Sequence, residues 1–203
     1  MNERTFRPGD SAKLEDPERL KWLPPAEVLA RLDLKPGETG ADIGAGTGYF
    51  AIPIAARIAP GKLYAVDLQS EMLDRLRAKL AAPGVPTNIE LLRGDASTTN
   101  LPDASVDFIL LANLWHELDG HDRVLREAGR ILRPGGRLAI LDWRHDVSPP
   151  PGPPPAHRVP VQDAIRHLEA NAWSLCGSAD WPFSYLILAG RDSLQATPGR
   201  RTG

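Results

Sequence analysis

With 203 residues, 42% of them apolar and 25% charged, the chain has the composition of a globular domain and length enough for one hydrophobic core. Twenty-four Lys and Arg against 26 Asp and Glu leave a formal charge of -2, so no global basic field draws it to nucleic acid or anionic lipid. Cys176 is the one cysteine, which excludes an internal disulfide and a cysteine-rich zinc site.

Residues 1 to about 15 lack periodicity and read as an arm, opening on MNERTFRPGD with no apolar signal-peptide core. The longest mostly apolar stretch, Phe108 to Trp115, is too short to span a bilayer. The expectation is a soluble cytoplasmic protein with no membrane partner. Pro17 to Leu23 suggests a turn or two of helix, and Pro24-Pro25 opens a better one with Val28, Leu29 and Leu32 on one face. Lys35-Pro36-Gly37-Glu38 is a turn.

From there strands and helices alternate. Thr39 to Ile43 is a short strand, followed by a glycine turn and a helix from about Gly48 to Ile58. Lys62 to Val66 is the second strand. Ser70 is placed to cap the helix carrying Met72, Leu73, Leu76 and Leu80. Ile89 to Leu92 is the third strand, and the fully apolar Val106 to Ala112 the fourth, as expected of a parallel strand covered on both faces. A helix over about Asp122 to Leu132 stops at Arg133-Pro134-Gly135-Gly136, before a fifth strand from Arg137 to Leu141. Seven prolines crowd into Pro149 to Pro160, then Val161, Ile165, Leu168 and Ala172 mark a helix. Trp173 to Ser178 and Phe183 to Leu188 lie too close together for a helical crossover and should pair antiparallel. The fold class that follows is α/β: a doubly wound, mostly parallel sheet with an antiparallel C-terminal hairpin. The domain organisation is an arm or cap over 1–23, one domain over 24–190 and a loose tail over 191–203.

The turn ADIGAGTGYF, between strand and helix, lets backbone N–H groups approach a ligand closely. A dinucleotide site uses G-x-G-x-x-G to set a pyrophosphate on the helix N-terminus. Here the spacing is G-x-G-x-G, with Tyr49 where the third glycine of that pattern would fall. Asp42 ahead of the first glycine repels a pyrophosphate and suits an ammonium group. Asp67, ending the second strand, can accept both hydroxyls of a ribose.

Asp42-x-Gly44-x-Gly46-x-Gly48, a strand ending in Asp67, and Gly94-Asp95-Ala96 after the third strand together resemble the class I S-adenosylmethionine-dependent methyltransferases. The resemblance runs over roughly Pro24 to Leu188. It includes the R-P-G-G turn and the closing hairpin, and implies the Rossmann-like seven-stranded methyltransferase sheet. Within the superfamily the chain looks closest to small-molecule enzymes grouped with quinone-biosynthesis C-methyltransferases and arsenite methyltransferases. The resemblance implies S-adenosyl-L-methionine as cofactor and no metal. Gly44, Gly46 and Gly48 would line its methionine moiety, with Asp42 near the amino group. Asp67 would take the ribose hydroxyls and Leu68 would flank the adenine. Asp95 would accept from the adenine amine, Ala96 would donate its N–H to the ring, and Asn113 and Leu114 would sit beside the cofactor.

Ligands of open α/β sheets bind beyond the carboxyl ends of the strands. That edge collects Trp115-His116-Glu117 and Asp142-Trp143-Arg144-His145-Asp146. His116 is the candidate general base, because histidine titrates near neutrality; its alternative is a helix-start histidine bonded to backbone. Glu117 reads as a local cap or ion-pair partner, and His145 and Asp146 as solvent-facing. Trp115 and Trp143 are candidate walls of an acceptor pocket or plain packing. The proline-rich stretch is too stiff for a helix and reads as a lid, with Arg158 as an anion contact, or as a rigid connector. The arm carrying Phe6 and Arg7 could fold over the cofactor. Arg123, Arg126, Arg130 and Arg133 form a stripe that reads as a solvated face. Arsenite as substrate is disfavoured, since that subfamily binds the metalloid through several cysteines and this chain has Cys176 alone. The expectation is methyl transfer to a small-molecule acceptor by a monomer or homodimer, with no nucleic-acid partner. The alternatives are a nucleic-acid or protein methyltransferase of the same fold, whose N-P-P-Y or D-P-P-Y signature is replaced by Asn113-Leu114-Trp115-His116, and a non-catalytic nucleotide-binding module.

Overall fold

A computed structural model describes Phe6, Gly9, residues 14–147 and residues 152–191. The tail expected after 191, Arg7 and Pro149 to Pro151 lie outside the described residues. Two short helices, α1 (Arg19–Trp22) and α2 (Pro25–Arg31), lead into β1 (Thr39–Ile43). Then follow α3 (Ala51–Ile58), β2 (Lys62–Asp67), α4 (Ser70–Leu80), β3 (Ile89–Arg93) and β4 (Val106–Ala112). The chain continues through α5 (His121–Ile131), β5 (Leu132–Trp143), α6 (Val161–Ala170), β6 (Ser174–Asp180) and β7 (Ser184–Gly190).

Among the described residues the strands form one sheet in the order β3-β2-β1-β4-β5-β7-β6. The pairs β1–β2, β1–β4, β2–β3 and β4–β5 are parallel, while β7 runs antiparallel to both β5 and β6. The expected closing hairpin is therefore present, and β7 is its reversed strand, inserted between β5 and the edge. Strand residues alternate between two cores, as a period of two requires. Ile109, Leu111, Leu138, Ile140 and Tyr185 pack with Val124, Leu125, Ile131, Ala164 and Leu168 of α5 and α6. Phe108, Leu110, Ala139 and Leu141 pack on the other face with Val28, Ile54, Ile58 and Leu76 of α2, α3 and α4. No helix among the described residues is long and apolar enough to cross a membrane.

Several boundaries differ from expectation for local reasons. Helix α3 starts at Ala51 rather than near Gly48, because Gly48 has φ 88° and cannot belong to a right-handed helix. Ser70 is not a cap: it is the first residue of α4, and its hydroxyl bonds Glu71 while Gln69 occupies the cap position. Strand β5 begins early. Leu132 pairs with Val106, Arg133 to Gly136 bulge out, and Arg137 rejoins opposite Phe108. Gly135 takes φ 79° in that bulge. The proline-rich stretch is not wholly extended, since Pro155–His157 makes one 3-10 turn. The strands β6 and β7 each run two residues further than expected.

Strand order reverses between β1 and its two neighbours β2 and β4. That switch point opens the crevice of a doubly wound sheet, at the carboxyl tips where β1 ends in the glycine turn.

Candidate active site

The glycine turn is tied to β2: Gly44 and Ala45 both donate to the Val66 carbonyl, at 2.8 and 3.1 Å. Gly44, Gly46 and Gly48 have φ of 77, 53 and 88°, the left-handed region that L side chains resist. Space restricts two of them as well. A Cβ at Gly44 would lie 2.9 Å from Leu114 Cδ2, and one at Gly48 only 2.3 Å from Leu76 Cδ1. Tyr49 turns away from the ligand side. Its hydroxyl donates to the Leu23 carbonyl at 2.8 Å, and the Arg19 guanidinium covers its ring at 3.9 Å.

Two carboxyls lie under this turn. Asp42 is 2% exposed, and among the described residues no group hydrogen-bonds its side chain. Burial and the neighbouring Asp67 push its pKa up to about 7. Asp67 is buried too; Oδ2 accepts from the Gly46 N–H at 2.8 Å and Oδ1 from the Gln69 N–H at 2.9 Å. Burial also raises the Asp67 pKa against those bonds. Asn113, past β4, takes φ 53° and donates its N–H to Leu141, and its buried Oδ1 has no partner among the described residues. Gln69 Oε1 is similarly unpartnered, while Gln69 Nε2 donates to the Phe6 carbonyl. Buried acceptors left unpaired cost free energy.

The nucleoside side is more open. Leu68 is 50% exposed, an unusual position for a leucine. Asp95 is exposed, and its Oδ1 accepts from both the N–H and Oγ of Ser97, forming a local turn. Ala96 packs on the β4 and β5 core. The Gly94 N–H donates to the Asp67 carbonyl, which brings the ends of β2 and β3 together.

Beyond β4, Trp115 to Glu117 form a 3-10 turn. Asp142 of β5 accepts from His116 twice: Oδ2 from the backbone N–H at 2.7 Å, and Oδ1 lies 2.8 Å from Nδ1. His116 Nε2 faces Glu117 Oε1 at 3.9 Å. Burial disfavours the imidazolium, but the charge and hydrogen bond of Asp142 outweigh it, so the His116 pKa is raised. Burial pushes Glu117 up to about 7 despite the Phe6 N–H that donates to its Oε2 at 3.0 Å. Phe6 therefore spans from Gln69 to Glu117 across the strand tips.

These contacts correct three expectations. Trp115 is no pocket wall: it is fully buried, with the His121 ring 4.2 Å from its own. Trp143 packs 5.3 Å from Trp22 and lies under Gly152, so it seats the proline-rich stretch. Arg158 is no open anion contact. Buried, it donates to the carbonyls of Pro153 and Arg144 and clasps that stretch to the end of β5. His145 and Asp146 are exposed as expected. The arginine stripe is exposed, and two of its four members are ion-paired, Arg130 with Glu127 and Asp103 and Arg133 with Asp107. A cavity of about 410 Å³ beside α5, lined by Asp119, His121, Asp122, Arg123 and His167, includes none of the cofactor-side residues.

Residues 41–140 match the family model described as a methyltransferase domain. A crystal structure of a S-adenosylmethionine-dependent methyltransferase from Aquifex aeolicus superposes with a TM-score of 0.85 at 32% identity, covering 91% of this chain and 98% of that one. The chain belongs to the class I S-adenosylmethionine-dependent methyltransferases. Among curated relatives, a methyltransferase of Mycobacterium tuberculosis is 41% identical over 125 residues, covering 62% of this chain and 44% of that protein. A ubiquinone/menaquinone biosynthesis C-methyltransferase of Hahella chejuensis is 32% identical over 123 residues, covering 60% of this chain and 49% of its own. The matches to these curated relatives span about half of their length.

S-adenosylmethionine is the cofactor of this family, and the residues present fit it. An ammonium and a sulfonium are cations, and Asp42 is a buried carboxyl with no hydrogen-bond partner among the described residues, next to a second buried carboxyl. The sequence pattern located that pair. Asp142 it did not single out: the residue was visible as one acid among several after the fifth strand, and only the β4–β5 register makes it a partner of His116.

Proposed function

We propose that this methyltransferase domain, spanning about 24–190 with the arm over its cofactor edge, transfers a methyl group from S-adenosylmethionine to a small-molecule acceptor. The observation that carries the reading is the cluster of buried His116 and Asp142 with partly buried Glu117, closed over by the chain's own Phe6 backbone. A crevice bridged in this way favours a small acceptor over a nucleic-acid strand or a folded protein. The C-methyltransferase of quinone biosynthesis among the relatives makes an electron-rich phenolic ring a reasonable class to try first.

The cofactor supplies an electrophilic methyl group on a sulfonium, so the protein's task is mainly alignment. In this reading Asp42 receives the ammonium, Gly44, Gly46 and Gly48 line the methionine end, and Asp67 exchanges its bond to Gly46 for the ribose hydroxyls. Leu68 flanks the adenine. Asp95, already bound to Ser97 through Oδ1, has its second oxygen for the adenine amine, with Ala96 N–H on the ring. Asn113 and Leu114 bound the cofactor on the β4 side. His116 takes the acceptor's proton.

The test is incubation of the full chain with S-adenosylmethionine labelled in the methyl group and a panel of phenols, quinols, amines and thiols, reading methylated mass. Label found only in an RNA or protein fraction would sink the small-molecule reading.

A further inference from the structure

Asp142 is 1% exposed, and its oxygens are fully engaged. Oδ2 accepts from the His116 N–H, and Oδ1 meets His116 Nδ1 and also accepts from the Trp143 N–H at 2.7 Å. An ionised carboxylate only accepts, so this contact requires a proton on Nδ1 and leaves the lone pair of a neutral imidazole on Nε2. Nε2 points to Glu117 Oε1 across 3.9 Å, too far for a hydrogen bond. Glu117 is linked through Phe6 to Gln69, two residues beyond Asp67, so the imidazole's neighbour is tied to the end of β2.

We infer that Asp142 is a positioning residue: it fixes His116 as the Nδ1–H tautomer and turns Nε2, beside Glu117, to receive a proton from the acceptor. This deepens the small-molecule reading above and rests on it. The consequence is an acceptor whose nucleophilic atom carries a proton to be lost, in an O–H, an N–H or an acidified C–H bond. As the carbon–sulfur bond breaks, its electron pair stays on sulfur, and the acceptor's electrons form the new bond to the methyl carbon. The acceptor's proton passes to Nε2, and the imidazolium so formed lies between Asp142 and Glu117 before releasing that proton to solvent. The charged groups facing His116 are Asp142 and Glu117, which favour the imidazolium, and Arg158, which opposes it. Asp67 and Asp142 in turn bear on Glu117.

The experiment is a long-range proton–nitrogen NMR titration of the full chain labelled with nitrogen-15, with no acceptor present and His116 assigned through His116→Gln. In the wild type the neutral His116 ring should show a protonated Nδ1 and a bare Nε2. Asp142→Asn should shift the titration midpoint downward and abolish the preference for Nδ1–H, a change that loss of packing alone does not produce. A wild-type ring protonated at Nε2 would overturn the proposal, as would an unmoved midpoint in folded Asp142→Asn. Should that variant fail to fold, the wild-type tautomer alone still decides. S-adenosylmethionine binding on the same samples separates the two failures. Binding with the wrong tautomer refutes the positioning role only, whereas no binding refutes the reading beneath it.

Discussion

Asp42 is a carboxyl whose neutral form is favoured by the fold and whose charged form is favoured by the ligand. Burial and Asp67 hold its pKa at about 7, above the 3.8 of a free aspartate. Ionising it therefore costs the empty protein stability as pH rises from about 4 through 7. A bound ammonium reverses the preference. S-adenosylmethionine affinity should rise with pH up to about 7 and then level off, with proton release on binding below that pH. Calorimetry in buffers of different ionisation enthalpy checks this. Asp42→Asn should flatten the profile, weaken binding by about tenfold or more, and raise the Tm of the empty protein at pH 8 by a few degrees. The glycines make a second contrast at this scale. Gly48→Ala meets both φ 88° and Leu76 at 2.3 Å, whereas Gly46→Ala meets φ 53° with only Leu14 nearby at 3.4 Å. Urea denaturation should give a loss of about 2–4 kcal/mol for the first and about 1–2 kcal/mol for the second.

Helix α5 shows how an element is fastened by a residue that sequence reads as surface. Glu127 sits within an arginine stripe, yet it is buried, accepts from Thr99 N and Oγ1 at 2.8 and 2.6 Å, and holds Arg130. Burial opposes its charge, but Arg130 and Thr99 prevail and lower its pKa to about 2. Because the folded pKa lies below the free value of 4.5, this contribution is full above 4.5 and fades as pH falls toward 2. Glu127→Gln should cost about 1–2 kcal/mol at pH 7 and lose its penalty by about pH 2–3, seen as converging denaturation curves. The apolar face of α5 was legible from Val124, Ala128 and Ile131, whereas Leu132, read with them, opens β5 and Leu125 joins the buried face instead. The role of Glu127 was not, since Thr99 comes from a loop 28 positions earlier. Ser70 failed as a cap for a related reason: Asp67 already accepts from the Gln69 N–H and sets where α4 begins.

Across the whole molecule, long-range clasps hold the two helical layers to the sheet and shape the crevice. Arg137 of β5 forks onto Glu38 at 2.8 and 2.7 Å and donates to the Leu32 and Asp33 carbonyls, locking the turn before β1. Trp181 Nε1 donates to Glu27 of α2, and Trp22 packs on Trp143, so the N-terminal helices close one side of the strand tips. Arg158 fastens the proline-rich stretch on another. Asp67 joins β2 to the glycine turn across the switch point, so Asp67→Ala removes a brace together with the proposed ribose contact. S-adenosylmethionine affinity should fall at least about tenfold by calorimetry, with a Tm drop of roughly 2–8 °C as the buried bond to Gly46 is lost. Unchanged affinity in a folded Asp67→Ala would remove it from the cofactor site.

The candidate cofactor half of this protein was legible as a pattern in the sequence alone, because the glycine turn, Asp42 within β1, Asp67 ending β2 and Asp95 after β3 each lie in short stretches where local backbone geometry decides. Periodicity likewise located every strand, since alternation and apolar runs are local signals. The acceptor half was decided by tertiary structure. Trp115 goes to the core, Arg158 to carbonyls and Glu117 to a partly buried position. His116 meets Asp142 through the β4–β5 register, 26 positions away. Those outcomes depend on which elements pack together, and no spacing within a single segment encodes that.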